Sequence, residues 1–131
     1  MTVEIEAGIV ARDADSLCAF YTQVMGFTMI ERFEHDAGSV YKFRRGAARL
    51  KIFHSVDSVD PVLAVEPWFK PGGWRYAALY LEDMQDVDGL AAMVAAHGGS
   101  VLLAPTNHRD GARMALLSDP EGNVWELLAE L

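Results

Sequence analysis

The sequence has little cysteine, few basic residues and no long hydrophobic run. Its single cysteine, Cys18, excludes an intramolecular disulfide and fits a reducing compartment. Lys and Arg total 11 against 19 for Asp and Glu, a net charge of -8, so the chain lacks the basic surface that nucleic acids require. No apolar stretch approaches the roughly 18 residues of a membrane span, and acidic residues stand where a signal peptide needs basic ones. We therefore predict a cytoplasmic protein that binds neither nucleic acid nor membrane.

What the sequence does contain is typical of one globular domain. Its 131 residues are 51% hydrophobic and 23% charged, with 11 glycines and 5 prolines. This composition excludes intrinsic disorder and low-complexity structure. We therefore interpret residues 1–131 as a single domain.

The first part of the chain predicts a strand, a helix and three more strands. Residues 3–10 alternate between apolar and polar side chains, which favours a strand. Asp13 or Asp15 can cap the following helix, and Gly26 can end it. Three further strands are expected at about residues 27–33, 39–44 and 48–54. Together these elements form a first βαβββ module of about residues 1–55.

The same order of elements recurs after a linker of about residues 56–73, which is rich in Asp, Pro and Gly. A strand is expected at residues 74–81, and Asp86 can cap a helix that Gly98-Gly99 closes. The returning strands are expected at about residues 100–104, 113–118 and 124–129. The chain is thus an internal duplication with a second module of about residues 74–131.

One helix per module can cover only one face of a four-stranded sheet. We therefore predict an α+β fold in which two βαβββ modules form a half-open mixed β-barrel around a cleft, with the helices outside. Strand alternation places an unusually polar set of side chains in this cleft. The set includes Glu6, Arg49, Lys51, Phe53, Tyr76, Tyr80, Val124 and Glu126.

Three segments carry a resemblance to one protein superfamily. They are FYTQVMGF at residues 20–27, HGG at residues 97–99 and DPEGNVWE at residues 119–126. With this spacing the whole chain resembles the vicinal oxygen chelate superfamily, also called the glyoxalase/bleomycin resistance/dioxygenase fold. The resemblance implies a fold rather than a reaction, because members include lyases, isomerases, dioxygenases, thiol transferases and non-catalytic drug-binding proteins.

The resemblance also implies where a metal would bind. Metal-dependent members carry four His or Glu ligands on the first and fourth strands of each module, and these positions correspond to Glu6, Lys51, Tyr76 and Glu126. A protonated lysine cannot bind a metal, and a phenol is a poor ligand at neutral pH. We therefore predict no metal and no cofactor. The Lys51 ammonium would instead neutralise the two glutamates by ion pairing.

Histidines and linker aromatics are the other candidates. The histidines are His35, His54, His97 and His108, and no two share a face or a short spacing, which is typical of scattered surface residues. His108 is singled out because the resemblance implies that its loop, residues 105–111, can cover the cleft. Large aromatics in the linker are expected in the core, over the ligand mouth or at a dimer interface. They are Trp68, Phe69 and Trp74.

The leading hypothesis is a protein that binds a small organic molecule in the cleft without a metal, for sequestration or resistance. The expected ligand-binding residues are Glu6, Lys51, Phe53, Trp68, Tyr76, Tyr80, His108 and Glu126. A homodimer is also expected, because the resemblance implies paired modules, often across two chains.

Two enzymatic alternatives stay open. In the first, a metal-free lyase or isomerase uses Glu6 or Glu126 as the catalytic base, while Lys51 stabilises the developing oxyanion. In the second, a metal-dependent glyoxalase-type or dioxygenase-type enzyme holds its ion with Glu6, Glu126 and His108.

Overall fold

Two amphipathic helices and eight strands account for most of the residues that the structure describes. The computed structural model describes residues 2–61, 66–109 and 111–130 and divides into two units, residues 1–61 and 62–131. Part of the predicted linker, residues 62–65, lies outside the described residues. In the described part, no helix is both long enough and apolar enough to cross a membrane.

The first unit is a four-stranded mixed sheet with one helix. Its elements are β1 (Glu6–Ala11), α1 (Ala14–Gln23), β2 (Thr28–His35), β3 (Gly38–Arg45) and β4 (Ala48–Ser55). The sheet has the order β1-β4-β3-β2, with β1 and β4 parallel and the other pairs antiparallel. Asp13 begins the helix, because its side chain accepts a hydrogen bond of 3.1 Å from the Ser16 N–H.

Alternation along β4 decides which side of the first sheet the helix covers. Leu50 and Ile52 on this strand are fully buried, and α1 contacts β4. On the helix, Leu17, Phe20 and Tyr21 are fully buried as well. Successive side chains of a strand point to opposite faces. The side chains at the odd-numbered positions of β4 therefore lie on the face away from α1.

The second unit repeats the order of the first. Its elements are β5 (Tyr76–Leu81), α2 (Met84–Met93), a short 3₁₀ helix (Ala95–His97), β6 (Ser100–Arg109), β7 (Ala112–Ser118) and β8 (Val124–Glu130). The strand order is β5-β8-β7-β6, with β5 and β8 parallel. Arg113 on β7 joins α2 to the sheet by two hydrogen bonds of 2.7 Å to Asp88. This contact lowers the pKa of the Asp88 carboxyl.

The predicted fold class and the duplication are confirmed, since two βαβββ units each form a mixed sheet. The cleft between the sheets, the cytoplasmic location and the single domain stay predictions. In the second helix the predicted cap is wrong. Asp83 occupies the cap position, and Asp86 is three residues inside, where its side chain accepts a hydrogen bond of 3.3 Å from the Asp83 N–H.

Strand boundaries differ from prediction where the partner strand begins or ends. The first strand starts at Glu6, whose register partner is Arg49, and the preceding Val3 and Ile5 are almost fully exposed. The fifth strand starts at Tyr76 rather than at residue 74. A strand extends only as far as its hydrogen-bonded neighbour does, and alternation along one segment cannot reveal where the neighbour stops.

Candidate functional site

Charged side chains cover the face of the first sheet that lies away from α1. Glu6 pairs in register with Arg49, and Lys51 pairs with Lys42. Lys51 has the opposite strand parity to the buried Leu50, so its predicted register is the one observed. We define the charged face by its linked side chains, which are Glu4, Glu6, Lys42, Arg44, Arg49 and Lys51.

Glu6 stands among three cations on this face. Its Oε2 lies 3.5 Å from the Lys42 Nζ and 3.7 Å from an Arg49 Nη2. Its Oε1 lies 3.6 Å from the Lys51 Nζ, so the ion pair expected between Lys51 and Glu6 is present. The Glu6 side chain is only 20% exposed, and a partly desolvated carboxylate is stabilised by such neighbours.

Glu4 adds a second carboxylate to the charged face. Arg44 donates hydrogen bonds of 3.3 and 3.4 Å to its two carboxylate oxygens, and Arg49 donates one of 3.3 Å. The hydrogen bond from Arg44, together with the Arg44 charge, lowers the pKa of the Glu4 carboxyl. Arg49 therefore bridges the two glutamates, and the six side chains form one connected network.

Strand alternation predicted only part of this network. It placed Glu6, Arg49 and Lys51 on the face but missed Glu4 and the two β3 cations, Lys42 and Arg44. The two missed cations lie on β3 two positions apart, so they share one face of their strand. That spacing was a usable signal, but the partner strand and its register were needed to put these cations beside the glutamates.

In the second unit, Tyr76, Tyr80 and Glu126 share the sheet face that lies away from α2. Ala78 pairs in register with Glu126, and the two tyrosines flank Ala78 at alternate positions of β5. Trp125, next to Glu126 with the opposite parity, is buried. Both tyrosines are more than half exposed.

Glu126 sits beside an apolar group rather than among cations. Its register partner Leu116 packs against the buried Ala112, Met114 and Leu128. Within residues 2–61, 66–109 and 111–130, the Glu126 carboxylate forms no hydrogen bond or ion pair. The neutralising ammonium partner expected for Glu126 is therefore not found among the described residues.

The linker aromatics behave differently from one another. Trp68 is half-buried, and its ring makes edge contacts with Phe69 at 5.6 Å and with Tyr76 at 5.4 Å. Phe69 is largely exposed and Trp74 fully exposed. Core burial, one of the three expected outcomes, is therefore wrong for Phe69 and Trp74. Placement at a ligand mouth or a dimer interface stays a prediction.

The predicted loop around His108 is also wrong. Strand β6 continues to Arg109, which pairs with Ala112 on β7, so His108 lies exposed within a strand. Register shifts between Leu103 and Thr106 accommodate the proline between them, and an edge strand tolerates a proline because it has an unpaired side. The extended hairpin thus replaces the cleft-covering loop expected for residues 105–111. Of these, residue 110 lies outside the described part.

A cavity of about 410 Å³ lies where β1 and β4 end. Arg12, which follows β1, and His54 near the end of β4 line it together with residues 55–59. Parallel pairing brings the carboxyl ends of these two strands to the same edge. None of the six side chains of the charged face lines this cavity.

Comparison with known proteins decides the family. The profile of the Glyoxalase/Bleomycin resistance protein/Dioxygenase superfamily matches residues 5–127. The chain belongs to this superfamily. No curated protein matches the sequence significantly.

Solved structures of other proteins share the fold of this superfamily member. A glyoxylase/bleomycin resistance protein/dioxygenase domain from Frankia sp. EAN1pec is 16% identical, with a TM-score of 0.81 over 100% of this chain and 99% of that one. A glyoxalase family protein from Bacillus cereus is 15% identical, with a TM-score of 0.77 over 100% and 96%. A family enzyme from Burkholderia phytofirmans PsJN is 20% identical, with a TM-score of 0.70 over 96% and 97%. At these identities the likeness shows the fold alone.

The metal ligands implied for superfamily members do not fit the residues present here. Lys51 and Tyr76 stand at two of the four implied positions, and Glu6 at a third is within 4 Å of three cations. A divalent cation at Glu6 would meet repulsion from those cations. Across the described ranges, no group of three or more His, Cys, Asp or Glu side chains is placed to hold a metal ion.

Proposed function

We propose that this superfamily member binds a small organic molecule at its charged face and does so without a metal. The observation that carries the proposal is the cluster of cations around Glu6. The side-chain nitrogens of Lys42, Arg49 and Lys51 lie 3.5 to 3.7 Å from its carboxylate oxygens. In this arrangement the chain's own cations neutralise the carboxylate. Sequestration of the bound molecule is the activity that needs no further machinery.

The second unit, taken by itself, also offers groups that can bind organic molecules. Tyr76 and Tyr80 offer exposed aromatic rings on one face of the second sheet, and Trp68 contacts the first of them. Such rings stack on or hydrogen-bond to organic ligands. A homodimer is part of the same proposal, because the edge strands β2 and β6 expose apolar side chains that a second chain could cover.

The proposal predicts that the protein holds no tightly bound metal. Metal content is measured by inductively coupled plasma mass spectrometry on protein without a polyhistidine tag, as isolated and after incubation with Mn, Fe, Co, Ni and Zn. We expect near-zero stoichiometry, because the Lys42, Arg49 and Lys51 charges oppose a second cation at Glu6.

A matched variant separates specific metal from adventitious metal in this measurement. Close to one ion per chain in the natural protein, lost in Glu6→Gln, would overturn the metal-free proposal. An ion that Glu6→Gln leaves in place is bound elsewhere. A binding screen complements the metal measurement. We expect at least one compound of an organic-compound library to bind saturably, as measured by thermal shift.

A second candidate function is supported by the surroundings of Glu126. Its carboxylate is half-buried, lies beside Leu116 and has no cation partner among the described residues. A general base needs such an uncommitted carboxylate, whereas Glu6 is held by three cations. The corresponding activity is a metal-free lyase or isomerase that removes a proton α to a carbonyl.

This second candidate function predicts that a C–H proton of the substrate exchanges with solvent. Small ketones and 2-oxo acids are incubated with the protein in deuterium oxide, and deuterium incorporation is followed by NMR. Glu126→Gln should slow the exchange about 100-fold or more, because it removes the base. Glu82→Gln, an exposed glutamate in the turn before α2, serves as the control. Exchange that survives Glu126→Gln, or binding without any exchange, would rule out this role.

A further inference from the structure

We propose that the molecule bound at the charged face is an organic carboxylate with an apolar body. This inference rests on the proposed function and names the class of ligand for the same site. Two properties of the face carry it: an excess of positive charge, and an apolar surface directly beside that charge.

The positive excess is unusual for this chain. On the charged face Lys42, Arg44, Arg49 and Lys51 stand against Glu4 and Glu6, a net charge of +2. Glu31, the register partner of Lys42 on β2, lowers the total to +1. The whole chain carries -8. A local field opposite in sign to that of the surrounding protein attracts anions and repels cations.

The Lys51 ammonium is the most accessible cation of the face. Its side chain is 46% exposed, against 21% for Lys42 and 28% for Arg49. Its register partner on β1 is Gly8, where an added Cβ would meet no atom within 4 Å. The space beside Lys51 is therefore open, and a carboxylate can approach the ammonium there without displacing Glu6.

The apolar surface lies beside Lys51 on the same face of the sheet and is centred on Phe53. Phe53 is two positions from Lys51 and pairs with Val40 on β3 and Val10 on β1. The His35 ring meets the Phe53 ring edge-on at 6.4 Å. Two residues of strand span about 7 Å, so a carboxylate at Lys51 places a phenyl or short alkyl group over Phe53. The Lys51 ammonium would add no affinity for a neutral or cationic ligand.

The experiment compares molecules that differ only in charge. Binding of 3-phenylpropionate and 3-phenylpropionamide, and of two similar acid and amide pairs, is measured by isothermal titration calorimetry at low salt. We expect each acid to bind about tenfold or more tightly than its amide, and added salt to weaken the acids only. Lys51→Gln should weaken acid binding about three- to tenfold and leave amide binding unchanged. The control is Lys70→Gln, an exposed lysine outside the face.

The outcomes separate this inference from the proposed function. If the amides bind as tightly as the acids, or if Lys51→Gln leaves acid binding unchanged, the inference fails while small-molecule binding stands. If no member of any pair binds, the inference fails, whereas the proposed function fails only if no compound of the organic-compound library binds either. Acid-selective binding that Lys51→Gln weakens and Lys70→Gln does not is the supporting result.

Discussion

Replacing Gly38 with alanine is expected to destabilise the protein by about 3 kcal/mol or more. Gly38 begins β3 with a φ of 155°. A Cβ on it would overlap the backbone carbonyl oxygen of His54 and come within 2.9 Å of the Ser55 Cα. Both obstacles are backbone atoms of the paired strand β4, so relief requires the two strands to separate.

Urea denaturation measures this effect, and two other glycines serve as controls. Gly46 also has a positive φ, of 56°, but an added Cβ there meets nothing within 4 Å, so Gly46→Ala should cost only about 1 kcal/mol. Gly8 has neither a positive φ nor a nearby atom, and Gly8→Ala should change the free energy of unfolding little. Equal effects at Gly38 and Gly46 would show that the close approach of β4 is not the cause.

Replacing Asp119 with alanine is expected to cost about 2 to 4 kcal/mol. Asp119 is 2% exposed and lies in the turn that joins β7 to β8. Its Oδ1 accepts hydrogen bonds from the Glu121 N–H at 2.8 Å and the Asn123 N–H at 3.0 Å. Its Oδ2 accepts one of 2.9 Å from the Asn123 side-chain amide. Alanine would leave all three donors without this acceptor.

Two further variants test whether hydrogen bonding explains the loss. Asp119→Asn keeps an acceptor for the two backbone N–H groups but faces the Asn123 amide with a second amide, so an intermediate loss is expected. The double variant that combines Asp119→Asn with Asn123→Asp again pairs an amide donor with a carboxylate acceptor and should recover part of the stability. If Asp119→Asn is as stable as the natural protein, the contact to the Asn123 side chain contributes little. The same turn leads into β8 and therefore fixes the register of Glu126.

Features that depend on a local pattern of residues could be predicted from the sequence. Alternation predicted two βαβββ modules, and it put Lys51 and Leu50 on opposite faces of β4. Asp13 was one of the two caps expected for the first helix, and it begins that helix. Each of these depends on residues within a few positions of one another, because side-chain direction and helix capping are properties of a short segment.

Which side chains of different strands come together depends on how the strands pair. Lys42 and Arg44 reach the glutamates only because β3 lies against β4, and β4 against β1, in one particular register. Strand β6 extends through His108 because β7 supplies a partner there. These contacts join separate segments of the chain. The hydrogen bonds that fix them are made between partners, so neither segment's own pattern specifies them.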